Sequence, residues 1–274
     1  MSNENYNALF NSTLNNKLPR TEVLIEDIFP YEEQPFDLYS EEKLEQLSKD
    51  ISENGLYNPI LVRPYKGGYQ IISGHNRFNA IKRLDWVTVP VTVETLTDED
   101  AMIRLVNSNL YQRQLIKESE KVKAYTMKVN ANKRQGKKGN NALDIVAKQE
   151  NLSLRTLSRY TACISLIDEF LQLLDQKKIS LAIGEQVAKL SEGKQQVLSD
   201  YLINHSLKVN LHQAILLREV EEFTEENLDS VFFAEKQQEK QKKSFENKLP
   251  ENFEPLDYFL SEEKYREFMQ LLQS

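Results

Sequence analysis

Cysteine and histidine are scarce in this sequence, whose 274 residues include one cysteine, Cys163, and three histidines. A single cysteine excludes an intrachain disulfide framework and a cluster of thiolate metal ligands. Cys163 lies in an apolar helical pattern, so we expect it in a core. Apolar runs are short, since none approaches the roughly 18 residues of a membrane-spanning helix, and the polar N-terminus lacks the pattern of a signal peptide. We therefore expect a cytoplasmic protein of two or three small domains.

Acidic side chains are absent between Glu120 and Asp144, although the chain as a whole has a net charge of −7. Residues 1–60 sum to −8, residues 61–218 to +9 and residues 219–274 to −8. Such a basic run is often only a solvated helix face, but in an acidic protein it also indicates a surface that contacts phosphates. The basic residues of the run are Lys121, Lys123, Lys128, Lys133, Arg134, Lys137 and Lys138.

The first part of the chain predicts a flexible tail over residues 1–20 and a small α/β domain over residues 21–115. A helix is expected between Ser40 and Gly55, a hairpin across Lys66-Gly67-Gly68, a helix over residues 78–84 and a strand over residues 87–93. Thr97 is expected to cap a further helix.

One segment of this domain, IISGHNRFNA at residues 71–80, has an apolar strand pattern that stops at Gly74. A strand-to-helix junction exposes backbone N–H groups at the positive end of the helix dipole. Gly74 would let the backbone approach an anion closely, and Arg77 adds a planar fork suited to phosphate. The pattern predicts an anion site here, with a purely structural tight turn as the alternative.

The second part, residues 116–218, is predicted to be helical and contains the outline of a helix-turn-helix over residues 142–164. Asn151 tolerates the positive φ that the turn needs, and Leu154, Leu157 and Tyr160 are expected to pack inward. An ordinary helical hairpin is the alternative. The residues expected to face outward and reach DNA are Ser153, Arg155, Thr156, Ser158 and Arg159.

Taken together, these motifs resemble those of the ParB family of DNA partition proteins. The family's G-E-R-R-x-R-A box is matched in part by GHNRFNA at residues 74–80, and its E-N-x-Q-R box by SNLYQR at residues 108–113. Gln34-Pro35 resembles its Q-P element. The resemblance covers about residues 20–215 and suggests the variant found on plasmids and mobile elements. It implies an α+β chain: a small ParB/sulfiredoxin-like α/β N-terminal domain, an all-helical helix-turn-helix domain, and a short C-terminal association helix.

In that family the first domain binds CTP with magnesium, and the nucleotide closes a protein clamp around DNA. The resemblance implies that Asn109 lies near the magnesium ion. Ser108 stands where the family has a glutamate, and a hydroxyl is a poor magnesium ligand and a poor general base. We therefore expect at most weak CTP hydrolysis and assign no catalytic residue. The nucleotide-binding residues carried over are Gln34, Gly74, His75, Asn76, Arg77 and Asn109.

The resemblance implies a sequence-specific, centromere-like DNA-binding partition protein on a nucleoid or plasmid. Its partners would be double-stranded DNA, a ParA-type ATPase and a second copy of the chain, and no membrane is expected. A ParB-like transcriptional or nucleoid-occlusion regulator and a small-molecule kinase on a related fold are the alternatives. Residues 219–274 are expected to be an acidic linker and an association helix with the apolar stripe Tyr265, Phe268, Met269 and Leu272. The predicted phosphate contacts are Lys133, Arg134, Lys137 and Lys138.

Overall fold

The structure is a computed structural model that describes residues 20–113, 115–136 and 140–233. These residues divide into two compact units, one ending at Glu192 and the other beginning at Gly193. The predicted phosphate contacts Lys137 and Lys138, the apolar stripe of residues 265–272 and nearly all of the predicted N-terminal tail lie outside the described residues.

Five strands form one mixed sheet in the order β1-β5-β3-β4-β2. β1 pairs antiparallel with β5, β3 parallel with β5, and β2 parallel with β4. β3 and β4 form the predicted hairpin, in which Lys66 and Gly67 both have positive φ, at 47° and 81°. Two positive φ angles match the twist of the flanking strands, so this prediction is confirmed. The strands are β1 (Arg20–Leu24), β2 (Ile28–Phe29), β3 (Ile60–Tyr65), β4 (Gly68–Ser73) and β5 (Thr88–Val93).

Three helices complete the α/β part: α1 (Glu41–Asn54), α2 (His75–Ile81) and α3 (Asp98–Gln112). The Thr97 hydroxyl accepts a hydrogen bond from the Asp100 amide at 3.2 Å, which confirms the predicted cap. The predicted end of α2 near residue 84 is wrong. The helix ends at Ile81 because the amides of Arg83 and Leu84 bond three residues back instead of four, and Asp85 then takes a φ of 53°.

The sheet is covered on both faces, as the alternation of β4 shows. Ile71 packs with Phe78, Ile81 and Ile51 in a core beneath α1 and α2. Its neighbour Ile72 belongs to the opposite core, which is built largely from α3 and from the helix that follows it in the chain. A residue on each face of one strand thus joins a separate core, as the period of two requires.

The helix that follows is α4 (Glu118–Arg134), and it packs on α3 and on the next three helices. Those three are α5 (Asn140–Gln149), α6 (Leu154–Ala162) and α7 (Asp168–Asp175), and α8 (Leu181–Val187) then packs on α6 and α7. Asn151, in the turn between α5 and α6, has the expected positive φ, at 55°. Cys163 is fully buried as predicted, and burial raises the pKa of its thiol to about 12.

The second unit is helical where it is described. It contains most of α9 (Glu192–Asn204), all of α10 (Leu211–Leu216), and a helical segment at residues 225–233. The Tyr201 hydroxyl donates to Asp229 at 2.5 Å and so joins α9 to that segment. Over the described ranges of both units, no helix has the length and apolar character needed to cross a membrane.

Candidate functional site

The turn between β4 and α2 has the predicted strand-to-helix geometry. Gly74 has φ 108° and ψ 23°, in the left-handed region, and its carbonyl accepts the first helical hydrogen bond from the Phe78 amide at 2.8 Å. A Cβ at this position would lie 3.1 Å from Nη2 of Arg77. Both the backbone angle and the close approach of Arg77 therefore favour glycine here.

Arg77 lies beneath this turn, and its guanidinium donates hydrogen bonds to backbone carbonyls. Its Nη1 donates to the carbonyl of Asn58 and, at 3.0 Å, to the carbonyl of Pro59. Burial lowers the pKa of the guanidinium from its ordinary value. In the described conformation Arg77 ties α2 to the segment that enters β3, and Nη1 points at carbonyl oxygens.

The loop of residues 31–39 covers His75 and Asn76. The Tyr31 amide donates to Nε2 of His75 at 3.3 Å, and the Tyr39 amide donates to Oδ1 of Asn76 at 3.0 Å. Burial, assisted by the charge of Arg113, lowers the pKa of His75 to about 4. The imidazole is therefore neutral at pH 7, with its proton on Nδ1 because Nε2 accepts, and it adds no charge to an anion site.

The same loop is held by a charged cluster that the sequence reasoning missed. The Arg113 guanidinium lies 5.1 Å from the Phe36 ring centroid, donates to the Asp37 carbonyl at 2.9 Å and pairs with Glu120 at 3.2 Å. Glu120 in turn accepts from the Asp37 amide at 2.8 Å. The only sequence signal for this cluster was the position of Arg113 in the SNLYQR segment, because its partners are seven and more than seventy residues away.

Gln34 lies in this loop but outside that cluster. Its Nε2 donates to the Phe36 carbonyl, and its Oε1 is buried without a hydrogen-bond partner among the residues that the structure describes. A cavity of about 320 Å³ adjoins it, with Met102, Thr126 and Met127 among the lining residues. Gln34 therefore retains an acceptor oxygen that its own loop does not use.

Ser108 and Asn109 are occupied within α3. The Ser108 hydroxyl, in a residue that is 1 % exposed, donates to the Leu105 carbonyl at 2.9 Å, and Asn109 Nδ2 donates to the same carbonyl at 3.0 Å. No hydrogen bond joins Asn109 to residues 74–77 in the described ranges. Nor do those ranges contain a group of three acidic, histidine or cysteine side chains that could hold a metal ion. Asn109 Oδ1 therefore remains a candidate ligand for magnesium.

α6 separates a buried face from an exposed one. Leu157 is fully buried and Tyr160 is nearly so, whereas Arg155 and Ser158 are exposed. The prediction for Leu154 is wrong, because its side chain is 49 % exposed. Leu154 is the first residue of the helix, and a helical side chain extends back over the preceding turn, which here is absent.

Ser153 and Thr156 shape the N-terminus of α6. The Ser153 hydroxyl accepts from the Thr156 amide at 3.0 Å and lies 2.8 Å from the Thr156 hydroxyl. Ser153 is therefore the helix cap, and its exposed position leaves the capped end of α6 open to solvent.

The basic run divides between surface and interior. Lys133 and Arg134 are exposed in the last turn of α4 and belong to the surface of the protein. Lys128 is not part of such a surface, since it is 1 % exposed and its Nζ pairs with Glu150 and donates to Asn107 Oδ1 at 2.8 Å. Burial lowers the pKa of Lys128, and the Glu150 charge opposes this effect. The lysine can be buried because its charge is compensated by the carboxylate of Glu150, the residue that follows α5.

Comparison with known proteins finds similarity in the N-terminal domain. Residues 11–110 match the family model described as the ParB N-terminal domain. The nucleoid occlusion protein of Lysinibacillus sphaericus is 30 % identical over 185 residues, which is 65 % of this chain and 59 % of that protein. The chromosome-partitioning protein Spo0J of Thermus thermophilus is 36 % identical over 98 residues, 36 % of each chain. The chain thus spans less than two thirds of either relative.

Among solved structures, the chain is similar to the C-terminally truncated chromosome-partitioning protein ParB of Caulobacter crescentus, complexed to the centromeric parS site. That similarity has a TM-score of 0.42 at 24 % identity and covers 73 % of this chain and all of the other. The family match covers the β4–α2 turn and most of the loop and helices around it, and the expected α+β fold is present. Residues 11–110 thus match the ParB N-terminal domain family, and the β4–α2 turn lies within this matched segment.

Proposed function

We propose that the chain is a sequence-specific DNA-binding protein that contacts double-stranded DNA with α5 and α6, used as a helix-turn-helix. The observation that carries this proposal is the division of α6, with Leu157 and Tyr160 buried against the protein while Arg155 and Ser158 face solvent. A recognition helix needs one face fixed on its own domain and one face of donors and acceptors free for base edges. The named functions of the relatives, nucleoid occlusion and chromosome partitioning, are consistent with this role.

Lys133 and Arg134 are proposed to bind the DNA phosphates, with Lys137 and Lys138 continuing the same run in the sequence. The two described residues end α4 shortly before α5 begins, so they lie beside the helix pair in the chain. Contacts of this kind carry no base information and depend strongly on salt.

Variants of Arg155 and of Lys133 should separate base reading from phosphate binding. Arg155→Ala should cost about 1–3 kcal/mol on the preferred site and relax the sequence preference. Lys133→Ala should weaken binding to all sequences and reduce the slope of log affinity against log salt by about one. Lys49→Ala is the control, since Lys49 is exposed on α1 and paired only with its helix neighbour Glu53 among the described residues. Equal effects of Arg155→Ala on specific and random DNA would contradict the proposal.

We propose in addition that CTP, with magnesium, binds at the β4–α2 turn and controls a clamp around DNA, as the family resemblance implies. In favour of this are the left-handed Gly74 and the first-turn N–H groups of α2, which lack intrahelical partners. In the described conformation, however, these residues are not free to bind a nucleotide. Arg77 is bonded to two carbonyls, and loop 31–39 covers His75 and Asn76. Nucleotide binding would therefore require loop 31–39 to move.

The residues carried over for magnesium do not suit a magnesium-dependent hydrolase. The Ser108 hydroxyl is buried in the core, and Asn109 supplies one neutral oxygen. Calorimetry with CTP, ATP and GTP, in the presence of magnesium and DNA, tests the binding. We expect heat with CTP, little turnover, and faster hydrogen exchange in loop 31–39 when the nucleotide is bound. No heat with any nucleotide would show that the turn has only a structural role.

The cellular role is proposed to be partition of a nucleoid or plasmid, with a ParA-type ATPase as the partner and two copies of the chain acting together. The names of several relatives favour nucleoid occlusion as the second candidate. Mapping the bound sites in the cell separates the two, because partition predicts one centromere-like cluster and occlusion predicts sites dispersed over the chromosome. For the dimer, deletion of residues 258–274 should convert a dimer to a monomer in sedimentation.

A further inference from the structure

Arg159 has a different environment from Arg155, although both lie on the outward side of α6. Its Nε donates to Oε2 of Glu185 on α8 at 3.2 Å, and each of these side chains is 26 % exposed. Arg155, one turn earlier, is exposed and makes no hydrogen bond or ion pair among the described residues. Of the two arginines, Arg159 is therefore the one whose guanidinium is held by the protein.

Close packing of α8 against the end of α6 brings Glu185 to this position. Gly184 is buried, and a Cβ on it would lie 3.0 Å from Sγ of Cys163, in the turn that follows α6. The absence of a side chain at Gly184 lets the two helices approach, and the next residue then faces Arg159. Glu185 also accepts from Lys189 at 3.4 Å, so its charge is shared between two cations.

The way Glu185 holds Arg159 leaves one edge of the guanidinium unused. The contact occupies Nε, and neither Nη1 nor Nη2 of Arg159 makes a hydrogen bond within the described part of the chain. The Nη1–Nη2 edge has the spacing that matches O6 and N7 of guanine in the major groove. A carboxylate bound at Nε fixes the plane of the fork before DNA arrives, which reduces the conformational entropy lost on binding.

We propose that Arg159 reads a guanine in the major groove and that Glu185 is the positioning residue that orients it. This inference rests on the proposed DNA-binding function and adds the base and the residue pair that select it. Arg155 has no such support, so its contact is expected to be less selective than that of Arg159. A partly exposed ion pair that only joins α6 to α8 is the competing explanation of the same contact.

The test measures the affinity of the full chain for its preferred duplex, selected from a random library, and for duplexes in which each guanine is replaced by 7-deazaguanine or adenine. Arg159→Ala should lose about tenfold or more in affinity for the preferred site and become insensitive to replacement of one particular guanine. Arg159→Lys should lose most of the same selectivity, because an ammonium cannot form the bidentate contact.

Glu185 variants separate positioning from simple charge. Glu185→Ala should reduce discrimination at that same guanine severalfold, while affinity for random DNA stays constant or rises as a negative charge is removed. Glu185→Gln should keep most of the discrimination, because its amide oxygen still accepts from Nε. Lys189→Ala is the matched control and should leave discrimination unchanged. In the Arg159→Ala background, Glu185→Ala should have no further effect on base preference.

Several results would overturn the inference. Equal changes for all sequences in Glu185→Ala would show that Glu185 acts only through its charge, and unchanged discrimination would show that the ion pair has only a structural role. Suppose that the wild-type chain selects a site but that Arg159→Ala changes the preference for none of its guanines. That result would refute this inference and leave the proposed function standing. A wild-type chain that selects no sequence would refute both.

Discussion

The stability of the first unit should be sensitive to the loss of one partner of the charged pair buried between α3, α4 and α5. Lys128 is 1 % exposed and the Glu150 side chain 5 %, and the Tyr111 hydroxyl donates to Glu150 at 3.3 Å. Lys128→Met keeps much of the side-chain volume but leaves the Glu150 carboxylate buried without its cation. Removing one partner of a buried pair costs about 3–5 kcal/mol. With a urea m-value of about 2–3 kcal/mol/M, the unfolding midpoint should fall by about 1–2 M.

Urea unfolding followed by circular dichroism measures this loss. Lys133→Met is the control on the same helix, and because Lys133 is exposed its stability should change by no more than about 0.5 kcal/mol. Replacing both partners, as in Lys128→Met with Glu150→Leu, should recover most of the loss, since no unpaired charge remains. A loss below about 1 kcal/mol for Lys128→Met, or a double variant as unstable as the single one, would refute the reasoning.

Three further predictions follow from the β4–α2 turn and α3. The pKa of His75 is lowered from 6.5 to about 4, so its stabilising contribution is complete above pH 6.5 and is lost as the pH falls towards 4, by about 3 kcal/mol. His75→Gln should flatten this dependence of urea unfolding on pH, and an unchanged pH dependence would contradict the assignment. Gly74→Ala should destabilise by more than Gly55→Ala in thermal unfolding, because both positions have positive φ but only Gly74 has a neighbour, Arg77, within 4 Å of an added Cβ. Ser108→Glu should destabilise by at least about 2 kcal/mol, since it places a carboxylate where the hydroxyl is 1 % exposed, and a stable variant with raised CTP turnover would contradict this.

Features that depend on neighbouring residues could be predicted from the sequence. Lys66-Gly67 predicts the hairpin because both positions need positive φ, and the apolar run ending at Gly74 predicts the strand-to-helix junction. Thr97 predicts a helix cap because its hydroxyl reaches an amide three residues later. In each case the interaction that fixes the structure spans only a few residues.

Features that depend on distant partners could not be predicted. Lys128 looks like part of a basic surface until α5 brings Glu150 beside it. Arg77 looks like a free phosphate ligand until the chain eighteen and nineteen residues earlier presents two carbonyls to it. The Arg159–Glu185 contact also depends on how α8 packs, which no spacing within α6 indicates. Charge identifies such residues as polar, but only the fold determines what neutralises the charge.

Photo-crosslinking from the exposed face of α6 tests the central claim, that this helix contacts DNA, most directly. A photoreactive residue replaces Ser158, which is exposed on α6, or Tyr57, which is 72 % exposed in the loop between α1 and β3, and each chain is irradiated with the preferred duplex. The account predicts crosslinks from position 158 that an excess of unlabelled specific duplex removes and random duplex does not, and no such crosslinks from position 57. Absence of crosslinks from position 158, or equal crosslinking from both positions, would contradict it.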